Sequence, residues 1–485
     1  MHRITKGSSH GLADVSAFVE GLEEYQDLFT EGADIFVARA PGRLDVMGGI
    51  ADYSGTLVLE MPIAEAVLAA LQKNSSGRLK IVSLAQGSDK EAYSFEMPLA
   101  DLTANGEPAA YNTACEYFRH RKKDHWASYV AGVFLVLMRE LKIRFNFLGG
   151  GGGTCILIGS KAPIGKGVSS SAAIEVAVMN AVCAAYGIDI TPRELAILCQ
   201  KVENLVVGAP CGVMDQMSSN CCEAGKLLSM ICQPAELQDA RLIPEDISFW
   251  GIDSGVRHSV GGGYYGMVRT GAFMGYRIIA EFAGLKVFET ETPGVVEVKD
   301  PEWNGYLANI SPDEFEKEFS PHLPEQISGA DFLSRYYGMT DTVTRVEPEK
   351  VYQVLTPTAH PVYENARVKY FAELLSAPVT EESLTEMGNL MYGSHESYSA
   401  CGLGTRETDL LVELVKESKE LYGAKITGGG SGGTVAVMGR KNAGREIEKI
   451  VDEYEKRTNY RPYVFSGSSM GAADFGHLVL KLGEF

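Results

Sequence analysis

The run Pro163-Ile164-Gly165-Lys166-Gly167-Val168-Ser169-Ser170-Ser171-Ala172-Ala173 carries a glycine-rich turn straight into a serine-opened helix. Glycine leaves backbone N–H groups open to a ligand, and the first turn of a helix leaves more of them unpaired. Together they make a concave site of positive potential suited to a nucleotide's phosphates. The hydroxyls of Ser169, Ser170 and Ser171 are hard oxygen donors within reach of a phosphate-bound magnesium ion. The run is not a Walker A loop, because Lys166 is followed by Gly167 rather than Ser or Thr. Gly428-x-Gly430-x-x-Gly433 fits the bare dinucleotide pattern, yet Thr434-Val435-Ala436-Val437 after it reads as strand, where that fingerprint needs a helix.

Three further groups could take part in phosphoryl transfer. Ala40 to Gly55 places Arg43 and two aspartates, Asp45 and Asp52, in what reads as a glycine-punctuated turn between strands. Asp215 follows Cys211-Gly212-Val213-Met214 and could accept a proton from a hydroxyl, as such a reaction asks of a base. Glu203 falls one turn after Cys199, at the edge of a helix's apolar face. Singly, each has a plainer reading: a surface ion pair, a helix cap, and a carboxylate in solvent, the last being the favoured reading of Glu203.

The elements that must position these groups alternate between strand and helix. Residues 12–30 read as an amphipathic helix, and strands are expected at Ile35–Arg39, Thr56–Leu59 and Ile81–Leu84. A helix over 126–141 precedes five glycines, Gly149 to Gly153, which read as a loop feeding the strand Cys155–Ile158. Thr191-Pro192-Arg193-Glu194 is a capping box with proline at the first helical position, opening the helix that bears Glu203. Later come a helix at 407–421, strands at 424–427 and 434–438, and a helix at 441–456. The sum is an α+β chain in two lobes, 1–245 and 246–485, with 285–350 a possible insertion.

A chain of 485 residues is long enough for two such lobes, and its net charge of -19 argues against a broad nucleic-acid surface. The longest apolar run, Tyr129 to Met138, is too short to span a membrane. Nine cysteines without a Cys-x-x-Cys pair read as reduced thiols, and Met1 to Phe18 lacks a signal-peptide layout. The expectation is a cytoplasmic protein whose partners are small molecules. Oligomeric state is not legible.

Taken in order and spacing, Arg43 with Asp52, the serine run, Glu203, Asp215 and the Gly428–Gly433 turn resemble the GHMP kinases. Asp253 to Ser259, with Tyr265 and Arg269, is similar to the galactokinase branch, as is Trp126-Ala127-Ser128-Tyr129. The resemblance implies a two-lobed GHMP kinase fold with the site in the cleft between N- and C-terminal domains. It implies an ATP- and Mg²⁺-dependent sugar 1-kinase, with Asp215 and Arg43 catalytic and Asp52, Gly49, Ile50, Gly212 and Tyr265 at the sugar. Gly165, Gly167, Val168, Ser169, Ser170, Ser171, Ala172, Trp126, Tyr129, Gly429 and Gly430 would meet the nucleotide. Ser170, Ser171 and Glu203 would hold the metal.

Galactokinases carry Glu-His where this chain has Gly49-Ile50, a pair that attends the hydroxymethyl end of galactose. L-Arabinopyranose has galactose's ring hydroxyls without that group, and a space-filling isoleucine suits it. Gly48–Gly55, Gly165–Ser171, Leu198–Asn204 and Gly208–Asp215 resemble the kinase part of plant L-arabinokinases, implying L-arabinose as substrate. Nothing here corresponds to the N-terminal glycosyltransferase-like half of those proteins, so a stand-alone kinase is expected. Galactose and a uronic acid are the alternative substrates, the latter needing a cation such as Arg39 or Arg257. A sugar sensor without catalysis is a remote alternative, since the serine-alanine run is complete.

Overall fold

The computed structural model describes residues 2–84, 92–145, 152–257 and 263–482. Gly149 to Gly151 of the glycine run, and His258 and Ser259, lie outside the described residues.

Two long strands, Asp34–Met47 and Leu57–Asn74, form the middle of the larger sheet, to which ten described strands belong. Successive strand residues point to opposite faces, and here both faces are covered. Ala38, Ala40, Val67, Ala69 and Leu71 pack with the helices Ser128–Glu140 and Ser170–Tyr186. Ile35, Val37, Leu68 and Ala70 pack on the other side with Val15, Phe18 and Leu22. Burial on both sides explains why these strands read as nearly unbroken apolar runs. The strand Leu478–Leu482 returns to this sheet, between His2–Lys6 and Asp34–Met47.

A four-stranded sheet follows the order Leu421–Ile426, Thr434–Arg440, Ile247–Asp253, Val464–Ser466. The helices Arg406–Lys416 and Gly444–Thr458 cover one face through Leu411, Val415, Ile447 and Tyr454. Its other face meets the first sheet directly, with Ala436, Met438 and Phe465 against Leu44, Val46, Leu59 and Met61. The mixture of sheet and helix in two packed units is the expected α+β architecture.

Several elements depart from the sequence reading. Residues 40–47 are strand rather than turn, with register shifts against the neighbouring strand between Pro41 and Arg43 and between Asp45 and Met47. Such bulges re-aim side chains at a sheet rim. The short helical turn begins only at Gly49–Ser54. The single helix expected over 12–30 is an α-helix, Ala13–Gly21, followed by a 3₁₀ stretch, Leu22–Leu28.

The 285–350 segment is folded. It contains the hairpin Lys286–Glu289/Val296–Lys299 and the helix Gly329–Tyr336. Its Trp303, Phe315, Phe332 and Met339 pack with the helix Gly263–Phe282 in one apolar cluster that also holds Ile50 and Tyr53.

One buried ion pair ties the two sheets together. Lys425 Nζ lies 2.6 Å from Asp45 Oδ2, and both side chains are fully buried. Asp45 also accepts from the backbone N–H of Gly49 at 3.1 Å and of Gly428 at 3.3 Å. Removing one member leaves an uncompensated buried charge, so Lys425→Met should cost about 3–5 kcal/mol. Asp45→Asn/Lys425→Met should recover part of that loss in urea or thermal denaturation, and equal losses in both variants would refute the pairing.

Candidate functional site

Arg43 leaves its bulged strand as a buried guanidinium. Its Nε and Nη2 donate to one oxygen of Asp215, Oδ1, at 3.0 and 2.7 Å, and Nη1 donates to the Gly167 carbonyl at 2.7 Å. Its backbone N–H donates to Val168 O at 3.1 Å. A single residue thus fixes both the glycine-serine turn and the carboxylate at the head of the helix Met214–Cys221. Burial opposes the charge on Arg43, but Asp215, Glu60 and Asp45 outweigh it and raise its pKa. Glu60 lies 3.4 Å from Arg43 Nε. Burial and the neighbouring Asp45 push Glu60 well above the usual carboxylate range. Asp215 is therefore the carboxylate that answers the arginine by hydrogen bonds.

Asp215 lines a cavity of about 370 Å³. Gly165, Gly167, Ser169, Ser170 and Ser171 also line it, as do Tyr93, Trp126, Tyr129, Ile158 and Ile174. The same lining includes Ile50, Asp52, Gly212 and Tyr265, and Gly429 from the Gly428–Gly433 turn. Ser169 sits at φ +56° and makes no side-chain cap bond to its helix. Its buried hydroxyl has no hydrogen-bond partner among the described residues, as expected of a group held for a ligand.

Glu203 is buried, not in solvent as its helix position implied. The helix Pro192–Lys201 widens into a π-turn at Val202–Val207, which rotates the carboxylate inward. There it accepts from Gln216 Nε2 at 2.7 Å and hydrogen-bonds Ser171. Burial, then the charge of Asp215, pushes it up to about 7. Among the described residues no three His, Cys, Asp or Glu side chains are grouped to hold a metal by themselves. Two serine hydroxyls beside one carboxylate do fit a magnesium ion that keeps phosphate oxygens as its other ligands.

Asp52 lines the same cavity and accepts from Met214 N at 3.5 Å. A β-carbon on Gly212 would stand 1.7 Å from Asp52 Oδ2, so only glycine lets the carboxylate lie there. Burial and the charge of Asp215 push Asp52 up to about 7, against the pull of Arg269. Arg269 is itself held by Asp341 through two bonds of 2.8 Å and donates to Cys211 O at 3.0 Å. The 285–350 segment thereby reaches the site.

Three family models match parts of the chain. Residues 23–73 match the galactokinase galactose-binding signature. Residues 128–223 match the GHMP kinases N terminal domain, and residues 372–456 match GHMP kinases C terminal. An L-arabinokinase of Arabidopsis thaliana is 46% identical over 498 residues, which cover 94% of this chain and 47% of that protein. The chain belongs to the GHMP kinases. It spans about half the length of that relative. A galactokinase of Chloroflexus aurantiacus is 27% identical over 426 residues, covering 87% of this chain and 88% of that one. The crystal structure of Lactococcus lactis galactokinase complexed with galactose superposes with a TM-score of 0.69 at 19% identity. It covers 97% of this chain and 100% of that one, and so shares the GHMP fold.

Within this GHMP site some expected residues stand behind the lining. Val168 and Ala172 are buried in the core, and Gly49 and Gly430 are not among the cavity's lining residues. Lys166 turns away to Asp253, 2.7 Å distant. Arg39 is spent on Asp14, Ser469 and Ala64, whereas Arg257 does line the cavity. No helix among the described residues is long and apolar enough to cross a membrane.

The pH dependence of stability follows from Asp52. In the unfolded chain its carboxyl ionises near 3.8, but in the folded protein it keeps its proton up to about 7. Between those values rising pH favours the unfolded chain, by about 1.4 kcal/mol per pH unit. Asp52→Asn should therefore be more stable than the parent by a few kcal/mol at pH 8, with the gap closing toward pH 4. Thermal melts at both pH values check this, and a gap of constant size would refute it.

Proposed function

We propose that this chain is an ATP- and Mg²⁺-dependent sugar 1-kinase that phosphorylates the anomeric hydroxyl of L-arabinose. The observation that carries the reading is the position of Asp215. It has one oxygen engaged by Arg43 and shares one cavity with the serine-capped helix and with Asp52 and Tyr265. The likeness to an L-arabinokinase, and Ile50 at the sugar end, favour a sugar lacking the hydroxymethyl group.

In this reading Asp215 Oδ2 takes the proton of the C1 hydroxyl while that oxygen forms its bond to the γ-phosphorus of ATP. The bond from that phosphorus to the β,γ-bridging oxygen breaks and ADP leaves. Arg43 orients Asp215 and offers its charge to the phosphoryl group in transit. The turn Gly165–Ser171 and the helix N-terminus hold the phosphates, Trp126 and Tyr129 flank the base, and Gly429 approaches from the other lobe. Ser170, Ser171 and Glu203 would hold Mg²⁺, which when bound neutralises charge on the phosphate oxygens. Asp52 and Tyr265 grip ring hydroxyls. A cytoplasmic location suits these co-substrates.

Asp215→Asn should lower kcat by about 10²–10⁴ while ATP affinity stays near the parent value. Near-parental turnover would remove Asp215 from its role. ADP release measured side by side with L-arabinose, galactose and glucuronate tests the substrate, with L-arabinose expected to give the highest kcat/KM. A preference for glucuronate would instead assign Arg257 to a sugar carboxylate.

A further inference from the structure

Tyr398 is fully buried on the helix Glu381–Ala400, outside the cavity lining, yet its phenol sits at the back of the sugar loop. Ile50 N donates to its hydroxyl at 2.8 Å, and that hydroxyl donates to the Gly428 carbonyl at 3.0 Å. One oxygen therefore joins the residue that faces the sugar to the glycine turn of the other lobe. The ring is fixed from two sides, by His360 edge-on at 5.3 Å and by Lys425 Nζ at 5.2 Å. Burial holds the phenol well above its ordinary pKa, so it keeps the proton it donates.

The same hydroxyl fills the space where a side chain at position 49 would begin. A β-carbon on Gly49 would stand 1.6 Å from Tyr398 Oη and 2.8 Å from both Tyr398 Cζ and Asp45 Oδ2. Gly49 also has φ +48°, where a residue with a β-carbon is strained. The loop cannot accept a glutamate at 49 while Tyr398 stands there. Restoring Glu-His at 49 and 50 alone would break the loop before it could recruit a larger sugar.

We propose that Tyr398 is a specificity-positioning residue: its hydroxyl replaces the side chain missing at Gly49 and presses Ile50 into the sugar cavity. The proposal rests on the sugar-kinase reading above, though not on which aldose is the substrate. It makes sugar selectivity a property of a triad, Gly49, Ile50 and Tyr398, whose members are 348 residues apart at the Ile50–Tyr398 contact.

The test is a double-mutant cycle of G49A, Y398F and G49A/Y398F, run with the two aldoses that the substrate panel ranks highest. Y398F should raise the sugar KM roughly tenfold and narrow the ratio of kcat/KM between those aldoses, with kcat held within about threefold. A loss of kcat at unchanged sugar KM would mean a general structural role and overturn the proposal. G49A should be far more damaging in the parent than in the Y398F background, by at least about tenfold in kcat/KM. If G49A proves too unstable to assay, the same coupling is read from melting temperatures, where G49A/Y398F should melt above G49A. Equal penalties for G49A in both backgrounds would overturn the shared-volume assignment. A panel in which L-arabinose is not the preferred sugar removes that substrate but leaves the cycle readable.

Discussion

A buried guanidinium needs several acceptors at once, and that requirement organises this protein. Arg43 finds them in Asp215, which takes two of its hydrogen bonds, and in the Gly167 carbonyl. Satisfying one side chain therefore fixes a strand, a phosphate turn and a helix N-terminus relative to one another. The strand's register shifts aim the side chain, and the tightly packed sheet beneath prevents it from relaxing. The position of Asp215 is inherited from that constraint.

Around it, carboxylates are separated in character by their surroundings. Asp215 receives two hydrogen bonds from a cation, whereas Asp52, Glu203 and Glu60 are buried near other carboxylates and driven toward their neutral forms. Were Glu203 to ligate magnesium as proposed, that balance would reverse for it, because a ligating carboxylate must be ionised. Burial and mutual repulsion thus hold Asp52, Glu203 and Glu60 less charged than free carboxylates. That arrangement limits the repulsion between four acidic groups in a small volume.

Much of this is legible in the chain. The glycine-serine turn, the capping box at Thr191 and the strand after Gly433 can be read because each depends on neighbours within a few residues. Glu203 misleads, because a π-turn changes the face of a helix without any local marker. Residues 40–47 read as turn because Gly42 and Pro41 outweigh their apolar neighbours, although the sheet accommodates them at a bulge. Asp341, Tyr398 and Lys425 stay hidden for a different reason: each meets its partner across 72 to 380 residues. Lys425 does leave a trace, as a lone charge inside an apolar strand ahead of a glycine turn.

The strand Leu478–Leu482 lies against Asp34–Val37, at the base of the strand that carries Arg43. During synthesis the sheet must wait with that edge uncovered until Leu482 has emerged from the ribosome. Pairing between segments so distant is slow to form, and an open edge invites association with other chains. Newly made molecules would therefore pass through a vulnerable interval, and a helper that shields exposed strands would have its greatest effect there.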